Sequence, residues 1–514
     1  MSLRTNTLAN LIGQLYRALI GILMLPAYLL YLGDEAYGLV AFYALLSTWL
    51  LLLAAGVAPM LARQVAYARG EGTLGSASFR LMLRGIEIIV LIAGLLIALV
   101  GSLGSDWLAV GWLSVGSMDL AEVSNSIVLM AIVIGLAPGA ALYASGINGL
   151  ERQVWLNAFN VVFATLRYGG AYVMLRWFTQ DIQAYFEYQV LMGVLELLLL
   201  AWKFYRCQPA GSSGNDPGVT FSWKAIRPVL PFTAGIAYTS VLWVGMTQSD
   251  KLVLSNTLTL VEFGYFGIVG LLANGILLFS IPVTRAALPR MTMYYSQERS
   301  ESMLLLYRTI TQLLVAIVFS IAVVLAWFPH AVLYALSGSE SAAQWGAQVL
   351  PWYVVGNAVL VIAGLQYNLQ FVHGQVRLHV VQTTINAAVQ IPILVYVALN
   401  YGVVAVAQTW LVIRVVTFLV WPAIVHRRFA PGMHWRWMLG DVCVPLFGAC
   451  FGLAFLVMAL SFFPNAMVME SRVASFAALF FAGLFVLFVS SFSGSEIRKI
   501  LLGGLRDSLK LRER

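Results

Sequence analysis

Residues 203–227, KFYRCQPAGSSGNDPGVTFSWKAIR, form the longest clearly polar interval before the C-terminal tail. Their cluster of Gly, Ser, Asn, Asp and Pro is that of a linker. On each side lies a long apolar block of similar length and rhythm. The chain therefore reads as two membrane bundles joined at this stretch, with the function lying between them.

Composition sets the class. A chain of 514 residues that is 61% hydrophobic and 10% charged has too many apolar runs to hide in one soluble core. Its mean hydropathy of +0.86 agrees. Many runs reach the roughly 20 residues that a helix needs to cross about 30 Å of hydrocarbon. Strand-like alternation is absent from the sequence, so the expected fold class is an all-α polytopic membrane protein. The three cysteines, Cys207, Cys443 and Cys450, form no disulfide or zinc pattern. The first apolar run carries Asn10, Gln14 and Arg17 and lacks a small-residue cleavage site, which reads as a retained helix rather than a signal peptide.

The expected spans are 8–31, 37–61, 79–101, 123–147, 154–177 and 183–203 before the linker. After it come 229–254, 263–288, 303–328, 347–371, 379–399, 402–425, 441–463 and 472–492, about fourteen in all. With the N-terminus inside, about 24 of the 30 basic residues fall in inner segments. Arg63, Arg69, Arg80 and Arg84 are among them; Arg176, Lys251 and Arg472 fall outside. The outer segments carry Asp34, Glu35, Asp106, Asp119, Glu122 and Glu340 instead. Both termini are therefore expected in the cytoplasm. The net charge of +8 follows from this inside bias and from attraction to anionic headgroups, and it gives no reason to expect nucleic acid.

The two blocks resemble each other. LGDEAYGLVAFYALLSTWLLLLAAGVAPMLARQVAY spans 32–67, and LTLVEFGYFGIVGLLANGILLFSIPVTRAALPRMTMYY spans 258–295. An acidic residue, an aromatic and Gly38 or Gly264 open each; a Pro and an Arg close each. Weak internal symmetry of this kind is the mark of transporter folds, with substrate sites near the midplane between repeats. The expected division is 1–204 and 228–426 as six-helix bundles related by the repeat, 205–227 as a cytoplasmic linker and 427–492 as two further helices. The basic tail, 493–514, suits a surface-lying amphipathic helix or a solvated end.

The opening NTLANLIGQLYRALIGILMLPAYLLYLGDEAYG at 6–38, GVAPMLARQ at 56–64 and QSDKLVLSNTLTLVEFGYFG at 248–267 resemble polysaccharide flippases. These are the Wzx-type members of the multidrug/oligosaccharidyl-lipid/polysaccharide (MOP) exporter superfamily. Fourteen helices rather than twelve is a departure shared with some members, including the peptidoglycan-precursor flippases. The resemblance implies a V-shaped pair of bundles in the bacterial inner membrane. It further implies translocation of a polyprenyl-diphosphate-linked oligosaccharide to the periplasmic face by alternating access. A polysaccharide polymerase and chain-length machinery are the implied partners, and no cofactor is implied.

An ionisable group at membrane depth costs several kcal/mol unless it is paired or lines a wet cavity, so such residues are the site candidates. Asn6, Asn10, Gln14 and Arg17 share one helical face. A guanidinium there can hold a diphosphate with two parallel bonds, or it can pair with a carboxylate of a neighbouring helix. Arg167, on a face with Asn157 and Asn160, is a cavity candidate, although Glu187 and Glu196 bracket its depth and either would neutralise it. Arg414 has no acidic partner evident in the sequence. Gln382, Asn386 and Gln390 recur every four residues and suit sugar hydroxyls, or act as polar glue between helices.

Asp250, Lys251 and Glu196 are candidates for ion coupling or gating; for the first two the plainer alternative is an interfacial pair with Lys251 extended outward. Glu87 follows Arg84 by three residues, the spacing of a local ion pair. Pro26, Pro138, Pro282 and Pro392 interrupt spans as possible hinges. Trp107, Trp112, Trp345 and Trp352 are expected interface anchors.

Enzymatic readings fare poorly. There is no GxxxxGK[ST] loop for ATP and no HExxH metal spacing. A membrane glycan polymerase or ligase would want a larger extracytoplasmic loop than 102–122. A cation-coupled drug antiporter would want cavity carboxylates where arginines stand. A peptidoglycan-precursor flippase grips the same lipid diphosphate and stays open as an alternative.

Overall fold

The computed structural model describes residues 3–50, 52, 56–74, 76–208, 223, 227, 230–375, 377–462, 472–499 and 502. Residues 209–222 of the expected linker and 503–514 of the expected tail lie outside the described residues. The chain is an all-α polytopic membrane protein. Among the described residues, nine helices are long and apolar enough to cross a membrane. Their outward faces are bare apolar side chains: Leu99 and Leu103 are 54% and 78% exposed, Phe447 and Phe451 70% and 68%. Water would not tolerate so extensive an apolar surface, and lipid requires it.

The chain divides into two compact units, Met1–Gly264 and Tyr265–Arg514. In the first, helices span Leu3–Leu32, Asp34–Leu50, Val57–Gly70, Ala77–Leu103 and Leu120–Gly149. Gln153–Ala164 then runs through a π-turn at Thr165–Gly169 into Gly170–Trp177, and Ile182–Arg206 and Leu230–Thr257 follow. A core of Leu61, Val65, Phe79, Leu83, Ile86, Leu142, Ile147 and Phe204 joins four of these helices. Glycines set how closely they approach. A Cβ on Gly94 would lie 2.3 Å from the Gly135 carbonyl oxygen, and one on Gly149 2.5 Å from that of Ala62. These are backbone-to-backbone crossings, the membrane packing that only the smallest residue permits.

In the second unit, helices Ser300–Trp327 and Leu350–Val372 form the interior, with 61% and 67% of their most apolar windows buried against 22% for Ala474–Ser493. The sequence reading stopped the earlier span near 328. The structure adds two short helices, Pro329–Ser337 and Glu340–Ala347. Pro329 ends the preceding ladder, Gly338 turns at φ +72° and Ser339 caps the next helix through the Ala342 N–H. The spans expected at 379–399 and 402–425 are two helices within Arg377–Phe429, joined directly at Gly402, whose backbone leaves the helical region at φ +78°.

The internal repeat is visible in backbone detail at a constant offset of 226 residues. Helices begin at Asp34 and Leu260. Leu52 is a 3₁₀ residue, and Leu278 lies in the 3₁₀ turn Ile276–Phe279. Gly72 and Glu298 both adopt positive φ, at +71° and +58°. Pro282 therefore falls in the first turn of Ser280–Ser296, just past the tightened turn, instead of interrupting a continuous span. Gly38 and Gly264 also meet: a Cβ on Gly38 would lie 2.1 Å from the Leu260 oxygen, and one on Gly264 3.3 Å from the Asp34 oxygen. Each glycine thus faces the carbonyl four residues before its counterpart.

Around Asp441, which is fully buried in a π-turn at Trp437–Cys443, the second unit holds a polar cluster. Arg308 donates to its carboxylate from Nε (2.7 Å) and Nη2 (3.1 Å), and Gln312 Nε2 donates at 2.6 Å. The Gln312 carbonyl in turn accepts the Glu496 N–H at 2.9 Å. Helix Val444–Ser461 and the segment after Arg472–Ser493 are thereby fixed to Ser300–Trp327.

Candidate functional site

Of the candidate residues of the first unit, Arg167 and Glu196 lie at the π-turn Thr165–Gly169. One extra residue in the turn lets carbonyls leave the helical ladder, and π-turns are frequent at functional sites for that reason. Tyr28 donates its hydroxyl to the Tyr168 carbonyl at 2.7 Å, and Tyr188 donates to the Leu166 carbonyl at 2.6 Å. Tyr16 and Thr165 share a hydroxyl bond of 2.6 Å. Helices Leu3–Leu32 and Ile182–Arg206 therefore clamp the turn from two sides. Arg167 projects from its middle.

Arg167 Nη2 pairs with Glu196 at 3.1 Å, both side chains being 25% exposed. The neutralising carboxylate that the sequence left open is thus Glu196; Glu187 is exposed. The pair is neither deeply buried nor free in solvent, and its Nε has no hydrogen-bond partner. At 25% exposure both groups keep contact with water, so Glu196 can rehydrate in part where a phosphate takes its place on Arg167.

Arg17 is exposed on the first helix. One turn before it Gly13 packs on Asn157, whose Oδ1 would lie 2.9 Å from a Cβ there; one turn after it Gly21 faces Tyr168. The backbone thus brings Arg17 level with residues 161–165, about one turn from Arg167. Asn157 is buried and donates to the Gln153 carbonyl at 2.8 Å. The side chains of Asn6, Asn10 and Gln14 lie outside the described residues.

Asp250 is fully buried. Lys251 does not extend outward as the plainer expectation had it: its ammonium donates to the Thr247 carbonyl at 2.6 Å and stands 3.8 Å from Asp250. Near the same end of the unit, Trp112 donates to Ser255 at 3.0 Å, so its indole is engaged in the protein. The Leu260 N–H donates to the Ser114 carbonyl at 3.1 Å, and Glu35 accepts from the Ser117 hydroxyl and the Gly116 and Ser117 N–H groups. Burial pushes the Glu35 carboxyl up, but those hydrogen bonds outweigh it and hold the group below its ordinary range.

In the second unit, Arg414 is 2% exposed and stacks on Trp410, its Cζ 4.0 Å from the ring centre. Gln382 lies in a buried chain of amides: it accepts from Gln366 at 2.6 Å, and Gln366 accepts from Gln370 at 2.5 Å. This is the polar-glue arrangement. Asn386 is half-buried and Gln390 fully buried. The sequence reading missed Tyr28 and Tyr188, Gln366 and Gln370, and the Arg308–Asp441 pair. Tyrosine carries no charge to flag it at depth, and Asp441 lies at an expected span end, where a carboxylate draws no notice.

A family model described as "Polysaccharide biosynthesis protein" matches residues 3–295. No curated protein sequence matches the chain. Among solved structures, the lipid II flippase MurJ in an inward closed conformation aligns at TM-score 0.68 and 13% identity, over 94% of this chain and 97% of that one. An inward-facing multidrug resistance MATE family transporter of the MOP superfamily aligns at 0.63 and 12%, over 80% and 96%. The MATE multidrug transporter DinF-BH aligns at 0.58 and 14%, over 83% and 95%. With the helices, their repeat and these matches in agreement, the chain belongs to the polysaccharide biosynthesis protein family and has the MOP superfamily fold.

Proposed function

We propose that this protein is a flippase that carries a polyprenyl-diphosphate-linked oligosaccharide from the cytoplasmic to the periplasmic leaflet of the bacterial inner membrane by alternating access. The observation that supports it most is the exchangeable Arg167–Glu196 pair at a clamped π-turn, with Arg17 about one turn away. Two guanidiniums suit a diphosphate, each offering paired donors that a lysine lacks. The family match supports the saccharide, and the MOP fold supports movement across the bilayer rather than chemistry upon it.

In this reading about fourteen spans run from a cytoplasmic N-terminus to a cytoplasmic C-terminus, and 1–204 and 228–426 are the two rocking bundles. Asn386, Gln390 and Arg414 serve the second bundle's side of the path, and the Gln382 amide chain holds its helices together. Asp250, Lys251 and Glu196 serve coupling or gating, and a polymerase receives the product. The bonds of Trp112 to Ser255 and of Leu260 to Ser114 join residues of the two bundles near the expected periplasmic end and have to break in each cycle.

A second reading is favoured by one observation: the MurJ match covers 94% of the chain and the inward-facing MATE match 80%, a difference the size of the two C-terminal helices. On that reading the cargo is a peptidoglycan lipid precursor. The deciding experiment locates lipid-linked glycan in cells lacking the protein, by its accessibility to a periplasmic modifying enzyme. Completed repeat units trapped inside support the oligosaccharide flippase. Trapped disaccharide precursor supports the second reading. Exposed, unjoined repeat units would overturn translocation and put a polymerase in its place.

A further inference from the structure

The lipid-facing flank of the first unit carries a groove that the candidate site does not use. It runs along Ala77–Leu103 and Leu120–Gly149, with Leu197 of a third helix closing one side, and has a volume of about 390 Å³. Its walls are apolar, and Leu91 and Leu95 stand 62% and 61% exposed on them. The contact of Gly94 with Gly135 draws the two helices together and leaves the furrow beside it.

One end of the groove is polar. Glu87 accepts the Tyr143 hydroxyl at 2.9 Å and the Tyr205 hydroxyl, and it pairs with Arg84 at 3.1 Å. Arg84 also donates to Tyr205 at 3.1 Å. The guanidinium side chain is 39% exposed and the carboxylate side chain 13%. A cation and an anion thus stand side by side where an apolar furrow begins.

We propose that this groove binds a phosphoethanolamine-headed phospholipid, with one acyl chain in the furrow, the phosphate on Arg84 and the ammonium toward Glu87. Length supports a single-leaflet chain. The lining extends from Tyr143 to Ile132 on one helix and from Arg84 to Ala98 on the other. At about 1.5 Å per residue that is about 16 to 21 Å, against about 15 Å for half of a 30 Å hydrocarbon core. Charge selects the headgroup. An anionic head would gain Arg84 but meet the Glu87 carboxylate, whereas a zwitterionic head satisfies both charges. A primary ammonium donates three hydrogen bonds, and a trimethylated one donates none. The site is independent of the transport reading. It does adjoin the candidate site: a Cβ on Gly193 would lie 3.3 Å from Leu136 of the groove and 3.9 Å from Arg167 Nη2.

The test uses the full chain, delipidated in detergent, with native mass spectrometry after titration of phosphatidylethanolamine, phosphatidylcholine or phosphatidylglycerol of identical chains. One phosphatidylethanolamine is expected per chain, bound about tenfold tighter than the other two, the factor for roughly one charge-assisted hydrogen bond. Leu91→Trp, at an exposed position, should fill the furrow and weaken all three lipids. Glu87→Gln should remove the preference over phosphatidylcholine while leaving the acyl-chain contribution. Equal retention of the three lipids, preference for phosphatidylglycerol, or retention unchanged by Leu91→Trp would each overturn the proposal.

Discussion

Asp441→Asn is expected to unfasten the two C-terminal helices from helix Ser300–Trp327. The carboxylate is fully buried and takes both Arg308 donors and the Gln312 amide. Removing its charge leaves the guanidinium facing an amide whose NH₂ can only donate toward it. Breaking one side of a buried ion pair costs about 3–5 kcal/mol. Arg308 is 30% exposed and recovers some hydration, which points to the low end, about 3 kcal/mol. For a cooperative unit of this size each kcal/mol shifts Tm by about 2–4 °C, so a fall of about 6–12 °C follows. The assay is thermal unfolding of the detergent-purified protein followed by tryptophan fluorescence, since Trp437 is buried four residues away and donates to Thr311 at 2.9 Å. Arg308→Met combined with Asp441→Leu should recover most of the loss, because a buried pair replaced whole by apolar residues is often neutral. A Tm for Asp441→Asn within about 2 °C of wild type, or strictly additive losses in the double variant, would refute the reasoning.

At equal protein level, Arg17→Ala should reduce translocation and Arg17→Lys restore it in part, because the charge survives and the fork does not; full activity in Arg17→Ala would remove that assignment. Glu196→Gln should raise affinity for lipid diphosphate, measured by binding to the purified protein, since it stops competing for Arg167. Glu35 has a depressed folded pKa, so its contribution to stability is present above the unfolded value of about 4.3 and disappears as pH falls through the folded one. Between pH 7 and pH 3 the wild type should therefore lose more stability than Glu35→Gln, and parallel profiles would count against the tie to residues 116–117. Gly38→Val places a side chain where a Cβ already lies 2.1 Å from a backbone oxygen, and should cost about 1–3 kcal/mol in unfolding experiments.

Class, helical content and most spans were legible in the sequence, because hydrocarbon permits only apolar helices and water demands charges at their ends. The repeat was legible too: the Gly38 and Gly264 motifs that suggested it mark the crossing the structure contains. The Arg84–Glu87 pair followed from helical spacing alone. What the sequence left open was partnership. Arg167 had two carboxylates within reach, and only packing against Ile182–Arg206 selected Glu196. Gln382 read equally well as a sugar ligand or as glue until Gln366 and Gln370 closed a buried chain on it. The π-turns at 165–169 and 437–443 contain Gly169 and Gly440, but in a chain with 44 glycines these mark nothing; at the first turn, tertiary hydrogen bonds from Tyr188 and Tyr28 hold the released Leu166 and Tyr168 carbonyls. Periodicity fixes which residues share a helix face; only the tertiary structure decides which neighbour that face meets, because hydrogen bonds and ion pairs between helices join residues far apart in the chain.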